Sequence, residues 1–307
     1  MQYTHGMETR LTLPNLQHIV PIGPLTTYQI GGPADAFAEV THTDELVHAV
    51  GAARESDTPW FLLGTGANIL VGDRGFRGLV IHNRANHVVV DGNRITAESG
   101  ATIAELIALT ADLGLSGLEH FAGIPSSVGG AIWQNLHFLA PDRQSTLFIE
   151  SVVESAEILD RSGRRRVVDR EFFEFGYDDS ILHHEEIVVL SVTFALEPRR
   201  TAEIVAQAEA NLAWRIARQP QIDEFPSCGS VFKKIEGVGA GRLIDHAGLK
   251  GYRVGGIQIS PKHANFLVNL GGGTARDVLD VAHHAQEAVQ RDSGYQLEME
   301  IGLVGEF

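Results

Sequence analysis

Ser230 stands in a short stretch where a hydroxyl, a glycine and a lysine come close together. The segment reads Pro226-Ser227-Cys228-Gly229-Ser230-Val231-Phe232-Lys233. A serine on a tight turn beside a glycine can present its hydroxyl to a ligand, and a lysine three positions later can hold an anion or assist a proton transfer. The same spacing is more often a plain turn into an apolar strand, so the choice between the two interpretations depends on the rest of the chain.

Two glycine-rich segments could place backbone N–H groups against a ligand. The first covers residues 64–71, after the apolar run 60–63, and the second covers residues 123–131. Successive N–H groups in such loops can bind a phosphate. The first segment is neither a P-loop, since Gly-Lys-Ser/Thr is missing, nor a Rossmann fingerprint, since no helix start and no acidic ribose residue follow. The alternatives are a hairpin turn for the first segment and a loop covering a strand for the second.

Two carboxylates near residue 300 are candidates for acid–base chemistry. Residues 296–303 alternate, which predicts a strand with one face made of Leu297, Met299, Ile301 and Leu303. Glu298 and Glu300 would then share the opposite face, where either both are solvated or one faces a cleft as an acid or base. The histidine pairs at 183–184 and, on a predicted helix, at 283–284 are the candidates for metal ligation. Adjacent side chains on a strand point apart, which argues against the first pair, and we expect no metal site at either.

Charge and composition limit the class of protein. The 307 residues carry a net charge of −15, with 39 acidic residues against 24 Lys plus Arg. This balance argues against a general binder of nucleic acid or anionic membranes, although local cations could still hold a small anion. Cys228 is the only cysteine, so no internal disulfide is possible and a reducing compartment fits. Residues 1–24 show no secretory signal and no apolar run could span a membrane, so we expect a cytoplasmic protein.

The elements that would position these residues alternate between helices and hairpins. Helices are predicted at 44–54 with Thr43 as cap, from the capping box Thr102-x-x-Glu105 to Gly114, at 201–218, at 241–247, and at 275–290 with Thr274 as cap. Turns are predicted at 91–93 and 161–163 within hairpins, and strands at 185–196, 254–259 and 265–270. Pro198 marks a boundary, after which the chain has the pattern of a separate α+β unit.

Six segments, in one order along residues 24–305, resemble the UDP-N-acetylenolpyruvoylglucosamine reductase (MurB) family. A single segment would be weak evidence, whereas six in the family's order indicate common descent. The direct run from Ser180 into Ile187, without an inserted loop, resembles the short, type II form. The segments are Thr27-Tyr28-Gln29-Ile30-Gly31-Gly32-Pro33-Ala34, Leu63-Gly64-Thr65-Gly66-Ala67-Asn68-Ile69-Leu70-Val71, Gly123-Ile124-Pro125-Ser126-Ser127-Val128-Gly129-Gly130-Ala131, Pro226-Ser227-Cys228-Gly229-Ser230-Val231-Phe232-Lys233, Ser260-Pro261-Lys262-His263-Ala264-Asn265-Phe266 and Leu297-Glu298-Met299-Glu300.

The resemblance implies an α+β protein with a two-part FAD-binding domain of the vanillyl-alcohol-oxidase (PCMH) type and a smaller α+β substrate domain. The implied boundaries are 1–82 and 83–199 for the two FAD-binding subdomains and 200–307 for the substrate domain. The implied activity is NADPH- and FAD-dependent reduction of UDP-N-acetylglucosamine enolpyruvate to UDP-N-acetylmuramate in peptidoglycan precursor synthesis. The implied partner is this small UDP-sugar alone, and we expect a monomer.

Residue roles follow from the resemblance at the matching positions. Ser230 falls on the proton donor and Glu300 on its acidic partner. The implied substrate-binding residues are Tyr177, Arg218, Lys233, His263 and Asn265. The implied FAD-binding residues are Ile30, Gly31, Gly32, Gly64, Thr65, Gly66, Ala67, Asn68, Ile69, Leu70, Gly123, Ile124, Pro125, Ser126, Ser127, Gly129, Gly130, Ala131 and Val188.

Three departures from the family pattern lie on the substrate side. The family's Tyr-Arg-x-Ser is Tyr177-Asp178-Asp179-Ser180, its Asn-Ala-Gly is Asn135-Leu136-His137, and its Lys-Asn-Pro is Lys233-Lys234-Ile235. Asp178 inverts the charge of an arginine that would stabilise the substrate carboxylate and the enolate. The alternative function is therefore a non-catalytic or altered-substrate flavin- or UDP-sugar-binding homologue.

An active reductase would need another cation in place of that arginine. The candidates are Arg143, Arg215, Arg218 and Lys234. We favour Arg143, because its segment and Asp178 depart from the family together, although a surface salt bridge is the more common role for such a residue.

Overall fold

The N-terminal part of the structure, a computed structural model that describes residues 11–235 and 237–307, begins with a mixed four-stranded sheet. Its elements are β1 (Gln17–Pro21), β2 (Pro33–Val40), α1 (Thr43–Glu55), β3 (Trp60–Leu63), β4 (Ile69–Val71) and β5 (Phe76–Asn83). The strand order is β1-β2-β5-β3, with β5 parallel to both β2 and β3. Helix α1 contributes Leu46, Val50 and Ala53 to the core shared with this sheet.

Helix α1 confirms the helix predicted at 44–54, but the predicted cap is wrong. His42 is the N-cap and makes no side-chain capping bond, while Thr43 is already helical. The Thr43 hydroxyl instead donates to the Glu98 carboxylate at 2.6 Å. The Thr43 hydroxyl therefore bonds a tertiary partner, Glu98, and does not cap the helix as the local pattern predicted.

The middle of the chain forms a five-stranded antiparallel sheet with two helices. Its elements are β6 (Val88–Asp91), β7 (Arg94–Glu98), α2 (Ile103–Asp112), β8 (Leu115–Ser116), α3 (Val128–Trp133), β9 (His137–Leu139), β10 (Thr146–Phe148), β11 (Val153–Leu159), β12 (Arg165–Asp169) and β13 (Val188–Ala195). The strand order is β12-β11-β13-β7-β6, which confirms both predicted hairpins and the predicted strand at 185–196. The capping box of Thr102 and Glu105 starts α2 as predicted.

The C-terminal part packs two helices against a small sheet. Its elements are β14 (Glu197–Pro198), α4 (Thr201–Arg218), α5 (Ala240–His246), β15 (Arg253–Val254), β16 (Ile257–Ile259), β17 (Leu267–Asn269), α6 (Ala275–Ser293) and β18 (Gly302–Val304). Strands β15, β16 and β17 form an antiparallel sheet, and α6 buries Val278, Val281 and Ala285 in the same core. Thr274 caps α6 as predicted, in a box with Asp277.

The predicted final strand at 296–303 is wrong over most of its length. Only β18 is a strand, and it pairs in parallel with β4, whereas Met299 forms an isolated bridge with Phe232 in the C-terminal unit. The chain changes its pairing partner between these two contacts, so the alternation breaks. Leu303 is consequently 47% exposed instead of sharing the buried face with Leu297.

The C-terminal unit contacts the N-terminal part of the chain at several points. Besides the β18–β4 pair, the Asp73 carboxylate accepts hydrogen bonds from the N–H groups of Ala275 and Arg276 at 2.7 and 3.0 Å. Tyr28 and Leu70 belong to the core of the C-terminal unit. The division at 82 and 199 stays a prediction, and residues 1–10 lie outside the described part. Within that part, no helix has the length and apolar character needed to cross a membrane.

Candidate active site

A cavity of about 2350 Å³ lies between the two glycine-rich loops and the C-terminal unit. Its walls come from the β3–β4 loop, the segment entering α3, the start of β9, the loop at 177–179, and the C-terminal segments around Ser230, Asn265 and Glu300. Residues of both glycine-rich segments, the Ser230 segment and Glu300 therefore face one space.

The first glycine-rich loop is held by close backbone contacts. Strand β3 pairs with β5 while β4 pairs with β18, so the loop joins two different sheets and is not a hairpin turn. Gly66 has φ +62°, and a Cβ on it would lie 2.7 Å from the Leu25 carbonyl oxygen. The Thr27 N–H donates to the Gly66 carbonyl at 3.1 Å. The loop therefore has a fixed path beside the cavity.

The second glycine-rich segment enters helix α3, a helix that no local sequence pattern predicted. Ser127 is its N-cap, and its Oγ accepts a hydrogen bond from the Gly130 N–H at 3.2 Å. The Gly129 N–H donates to the Ser99 carbonyl at 2.8 Å. A Cβ on Gly64 would lie 2.5 Å from Ser127 Oγ, so the two glycine-rich loops touch each other.

Backbone N–H groups of both loops are available to a ligand. Among the described residues, no protein acceptor receives a hydrogen bond from the N–H groups of Thr65, Gly66 and Ala67 or of Ser126 and Ser127. All five residues line the cavity. Grouped N–H donors of this kind suit the oxygen atoms of a phosphate, so the chain fits the pyrophosphate of a dinucleotide such as FAD.

Arg215 is a site residue that the sequence analysis considered only as a replacement for the family's arginine. It projects from α4 into the cavity, where a Cβ on Gly123 would lie 3.3 Å from its Nε. Burial lowers the pKa of Arg215 to about 10, and no described carboxylate forms a salt bridge with it. A partly desolvated cation beside free N–H groups is suited to an anion. The spacing of residues on α4 was the available signal, but it does not distinguish Arg215 from Arg218.

Backbone pairing brings Ser230 and Glu300 to the same wall. Ser230 forms a bridge with Phe266, and the Glu300 N–H donates to the Val231 carbonyl at 2.8 Å. The Asn265 side chain bonds both backbone groups of Phe232, at 3.0 and 2.8 Å. The polar side chains of this wall thus sit on a paired, fixed backbone.

Only one of the two candidate carboxylates faces the cavity. Glu300 lines it, and burial first, with a contribution from the Asp178 carboxylate, raises the pKa of Glu300 to about 8. Glu298 has a side chain that is 75% exposed and forms a salt bridge to Lys233 at 3.3 Å. A carboxyl that keeps its proton at neutral pH can donate it, which makes Glu300 the acid–base candidate.

Asp178 and His137 stand together in the same wall. Asp178 has φ +54° and is buried, and its Oδ1 lies 3.5 Å from His137 Nδ1. The His137 ring is flanked by Phe148 and Tyr177, with ring centroids 5.3 and 4.7 Å away. Burial and the neighbouring Asp178 and Glu300 raise the pKa of Tyr177.

Most of the predicted site residues line the cavity, and six do not. The lining residues include the catalytic pair Ser230 and Glu300, the predicted substrate-binding residues Tyr177, Lys233, His263 and Asn265, and the predicted FAD-binding residues Gly64, Thr65, Gly66, Ala67, Asn68, Ile69, Gly123, Ile124, Pro125, Ser126, Ser127, Gly129, Gly130 and Val188. The six that do not line it are Ile30, Gly31, Gly32, Leu70, Ala131 and Arg218.

Other contacts account for the six residues outside the cavity wall. Gly31 and Gly32 allow close packing, since a Cβ would lie 2.7 Å from the Val71 side chain and 2.3 Å from the Asp73 carbonyl oxygen, respectively. Ile30, Leu70 and Ala131 are buried in the core. The exposed Arg218 lies over the Trp214 ring at 4.8 Å.

The structure does not support Arg143 as the cation that compensates for Asp178. Arg143 is absent from the cavity wall, donates to Asn211 Oδ1 at 2.8 Å and lies over the rings of Phe138 and Trp214. Its guanidinium anchors the loop after β9 to helix α4. The two segments that depart from the family pattern meet instead where His137 contacts Asp178.

The remaining sequence candidates have structural partners. His183 contacts the Trp133 carbonyl at 2.9 Å, and His184 contacts Asp179 at 3.1 Å. Across residues 11–235 and 237–307, no cluster of three His, Cys, Asp or Glu side chains could hold a metal ion. Cys228 is buried, and burial raises the pKa of its thiol.

Comparisons with known proteins agree with this geometry. A family model described as FAD binding domain matches residues 34–169, and one described as UDP-N-acetylenolpyruvoylglucosamine reductase, C-terminal domain, matches residues 219–304. UDP-N-acetylenolpyruvoylglucosamine reductases of Pediococcus pentosaceus and Moorella thermoacetica are each 41% identical over 93% of this chain, covering 93% and 92% of their own lengths.

A solved structure extends the agreement to three dimensions. The crystal structure of UDP-N-acetylenolpyruvylglucosamine reductase (MurB) from Thermus caldophilus superposes with a TM-score of 0.79 at 32% identity, covering 94% of this chain and 99% of that one. The predicted α+β fold with an FAD-binding domain of the PCMH type is thereby confirmed. On the identity and coverage of its relatives, the chain belongs to the UDP-N-acetylenolpyruvoylglucosamine reductase family.

Proposed function

We propose that this protein is an FAD-dependent UDP-N-acetylmuramate dehydrogenase, which uses NADPH to reduce UDP-N-acetylglucosamine enolpyruvate in peptidoglycan precursor synthesis. The observation that carries the proposal is the single cavity in which the loops with free N–H groups face the wall holding Ser230 and Glu300. Relatives at 41% identity bear the name of this reductase. One space therefore offers both a place for the cofactor and groups for the chemistry.

The two glycine-rich loops would hold FAD. The N–H groups of residues 65–67 and 126–127 would bind its pyrophosphate, with Arg215 as the neighbouring cation. Bound there, FAD would supply the hydride-transfer chemistry that couples oxidation of NADPH to reduction of the substrate's double bond. Of the six predicted residues outside the wall, the five predicted for FAD binding would act only through packing, and Arg218 lies over the Trp214 ring.

The C-terminal wall would supply the proton. We assign the proton donor role to Ser230 and the acidic partner role to Glu300, whose pKa of about 8 keeps its carboxyl protonated at neutral pH. Lys233, His263 and Asn265 line the same wall, Tyr177 lines the cavity from the loop at 177–179, and all four would contact the UDP-sugar. Serine is a poor acid in water, so the neighbouring Glu300 is needed to replace its proton.

The experiment that tests the proposal is a flavin and turnover assay. The purified protein should be yellow with a flavin spectrum, and it should oxidise NADPH when UDP-N-acetylglucosamine enolpyruvate is added. A protein that stays colourless after reconstitution with FAD would refute the proposal. Binding of the UDP-sugar without turnover would instead identify a non-catalytic homologue, the alternative raised by Asp178. We further propose that the enzyme is a cytoplasmic monomer, which sedimentation and cell fractionation would test.

A further inference from the structure

The carboxylate of Asp178 is buried in the cavity wall without a hydrogen bond. Both of its oxygen atoms are inaccessible and have no partner among the described residues. A charged oxygen removed from water without compensation destabilises a protein strongly. A neighbouring group that gains a positive charge would therefore be stabilised by Asp178.

The only imidazole in ion-pair distance of Asp178 among the described residues is His137. Its Nδ1 lies 3.5 Å from Asp178 Oδ1 and is itself buried without a hydrogen bond. The flanking rings of Phe148 and Tyr177 fix the orientation of the imidazole. His137 and Asp178 are also both positions where the sequence departs from the family pattern. The wall therefore contains an oriented acid–imidazole pair.

The charged groups around His137 and Asp178 influence the protonation of His137. Burial lowers the pKa of His137, the Asp178 carboxylate and the Asn135 carbonyl act in the opposite direction, and Lys234 lowers the pKa further. Asp178 in turn faces Tyr177, His183 and Glu300. With the pKa of His137 below its usual value, a second anion near the ring is what would draw a proton onto it.

Three other cations of the cavity wall differ from His137 in their surroundings. Lys233 forms a salt bridge with Glu298, and Arg215 lies beside Gly123 on the loop side. Lys234 lines the cavity and lowers the pKa of His137, but its side chain is exposed to solvent. An anionic group entering beside Asp178 and Glu300 would meet a carboxylate first, unless His137 is charged.

We propose that His137, oriented by Asp178, is the cation that receives the carboxylate of the substrate, and that it takes up one proton from solvent when the substrate binds. This inference rests on the proposed function, because the substrate must carry a carboxylate. His137 contacts the substrate and is a binding residue for the reaction. Asp178 acts through His137 and is a positioning residue. Together they would supply a positive charge on His137 that appears when the substrate binds, in place of the permanent charge of the family's arginine.

The test is substrate binding to the FAD-loaded, oxidised protein without NADPH, so that no turnover occurs. Calorimetry in buffers of different ionisation enthalpy should show proton uptake approaching one per substrate bound. The affinity should fall as pH rises above the pKa of His137 in the free protein. Measurements below about pH 7.5 keep Glu300, with its pKa of about 8, from dominating the profile.

Variants separate His137 from its neighbours. His137→Gln should weaken binding by about 10- to 100-fold at acidic pH and abolish proton uptake, as expected for the loss of a charged hydrogen-bond donor. Asp178→Asn should shift the pH profile toward acid. His183→Gln, which removes another imidazole facing Asp178, should keep the parental proton uptake, and Lys234→Gln should keep it as well.

Two outcomes overturn the inference and differ from failure of the proposed function. If His137→Gln keeps the parental pH profile and proton uptake, His137 is not the titrating cation. If Lys234→Gln abolishes the uptake instead, the cation is Lys234. A protein that neither binds nor reduces the UDP-sugar, although it contains FAD, would contradict the proposed function itself.

Discussion

The carboxyl of Glu300 allows a quantitative test of how strongly the cavity desolvates its wall. Burial, with Asp178 as the second cause, raises the pKa of Glu300 from 4.5 to about 8. Between these values the folded protein holds a proton that the unfolded chain has released. The free energy of unfolding should therefore fall as pH rises through this window, and Glu300→Gln should remove that loss.

The size of the effect follows from the two pKa values. At about 1.4 kcal/mol for each tenfold change in proton affinity, the cost of Glu300 is about 4 kcal/mol at pH 8 and under about 1 kcal/mol at pH 5. Between about pH 5 and about pH 8, the free energy of unfolding of Glu300→Gln should therefore rise by about 3 kcal/mol relative to that of the parent. This is an upper limit, because water in the cavity screens part of the interaction.

Urea unfolding of the FAD-free protein, followed by circular dichroism from about pH 5 to about pH 8, measures the effect. The matched control is Glu298→Gln, in the same segment, whose side chain is 75% exposed. Its free-energy difference from the parent should be the same across the pH range. If the Glu300→Gln and parental curves stay parallel, Glu300 is solvated and the acid–base role inferred from its burial is wrong.

Three further predictions concern other parts of the site. Gly64→Ala places a Cβ 2.5 Å from Ser127 Oγ, at the contact of the two loops. The substitution should lower the free energy of unfolding by about 1–3 kcal/mol and weaken FAD binding about 10- to 100-fold in a fluorescence titration. Unchanged binding would contradict the role of that contact. Ser230→Ala should leave flavin reduction by NADPH intact in stopped-flow measurements and slow turnover by about 10² or more, whereas parental turnover would remove Ser230 from the mechanism. Arg143→Ala should lower stability by about 1–2 kcal/mol through the lost bond to Asn211, with turnover near the parental value; a large loss of turnover at parental stability would restore Arg143 as a site residue.

Local signals predicted much of the fold. The capping box of Thr102 and the capping residue Thr274 start helices α2 and α6, and both hairpin turns lie where glycine and polar residues interrupt the alternation. Helix α3 was missed because Gly129 and Gly130 have low helix propensity, and contacts with the Ser99 segment overrule that propensity. Local sequence signals predict elements such as α2 and α6, whereas tertiary contacts determine the structure where the local signals are weak.

The candidate site was predictable only in part. Backbone glycines and the Ser230 segment pointed to the cavity before the fold was known. The alternation could place Glu298 and Glu300 on one face, but it could not show that Glu300 lines the cavity while the exposed Glu298 pairs with Lys233. The contact of His137 with Asp178, more than 40 residues apart in the chain, has no local signature.

The pairing of β18 with β4 has a consequence for biosynthesis. Residue Gly302 pairs with Ile69, so one flank of the first glycine-rich loop gains its neighbour only after roughly 230 more residues have been made. At typical rates of translation this interval is about 10–50 seconds. During it, the nascent chain carries a loop whose second strand lacks its partner. The paired form of this strand therefore becomes possible only in chains that have emerged past residue 304.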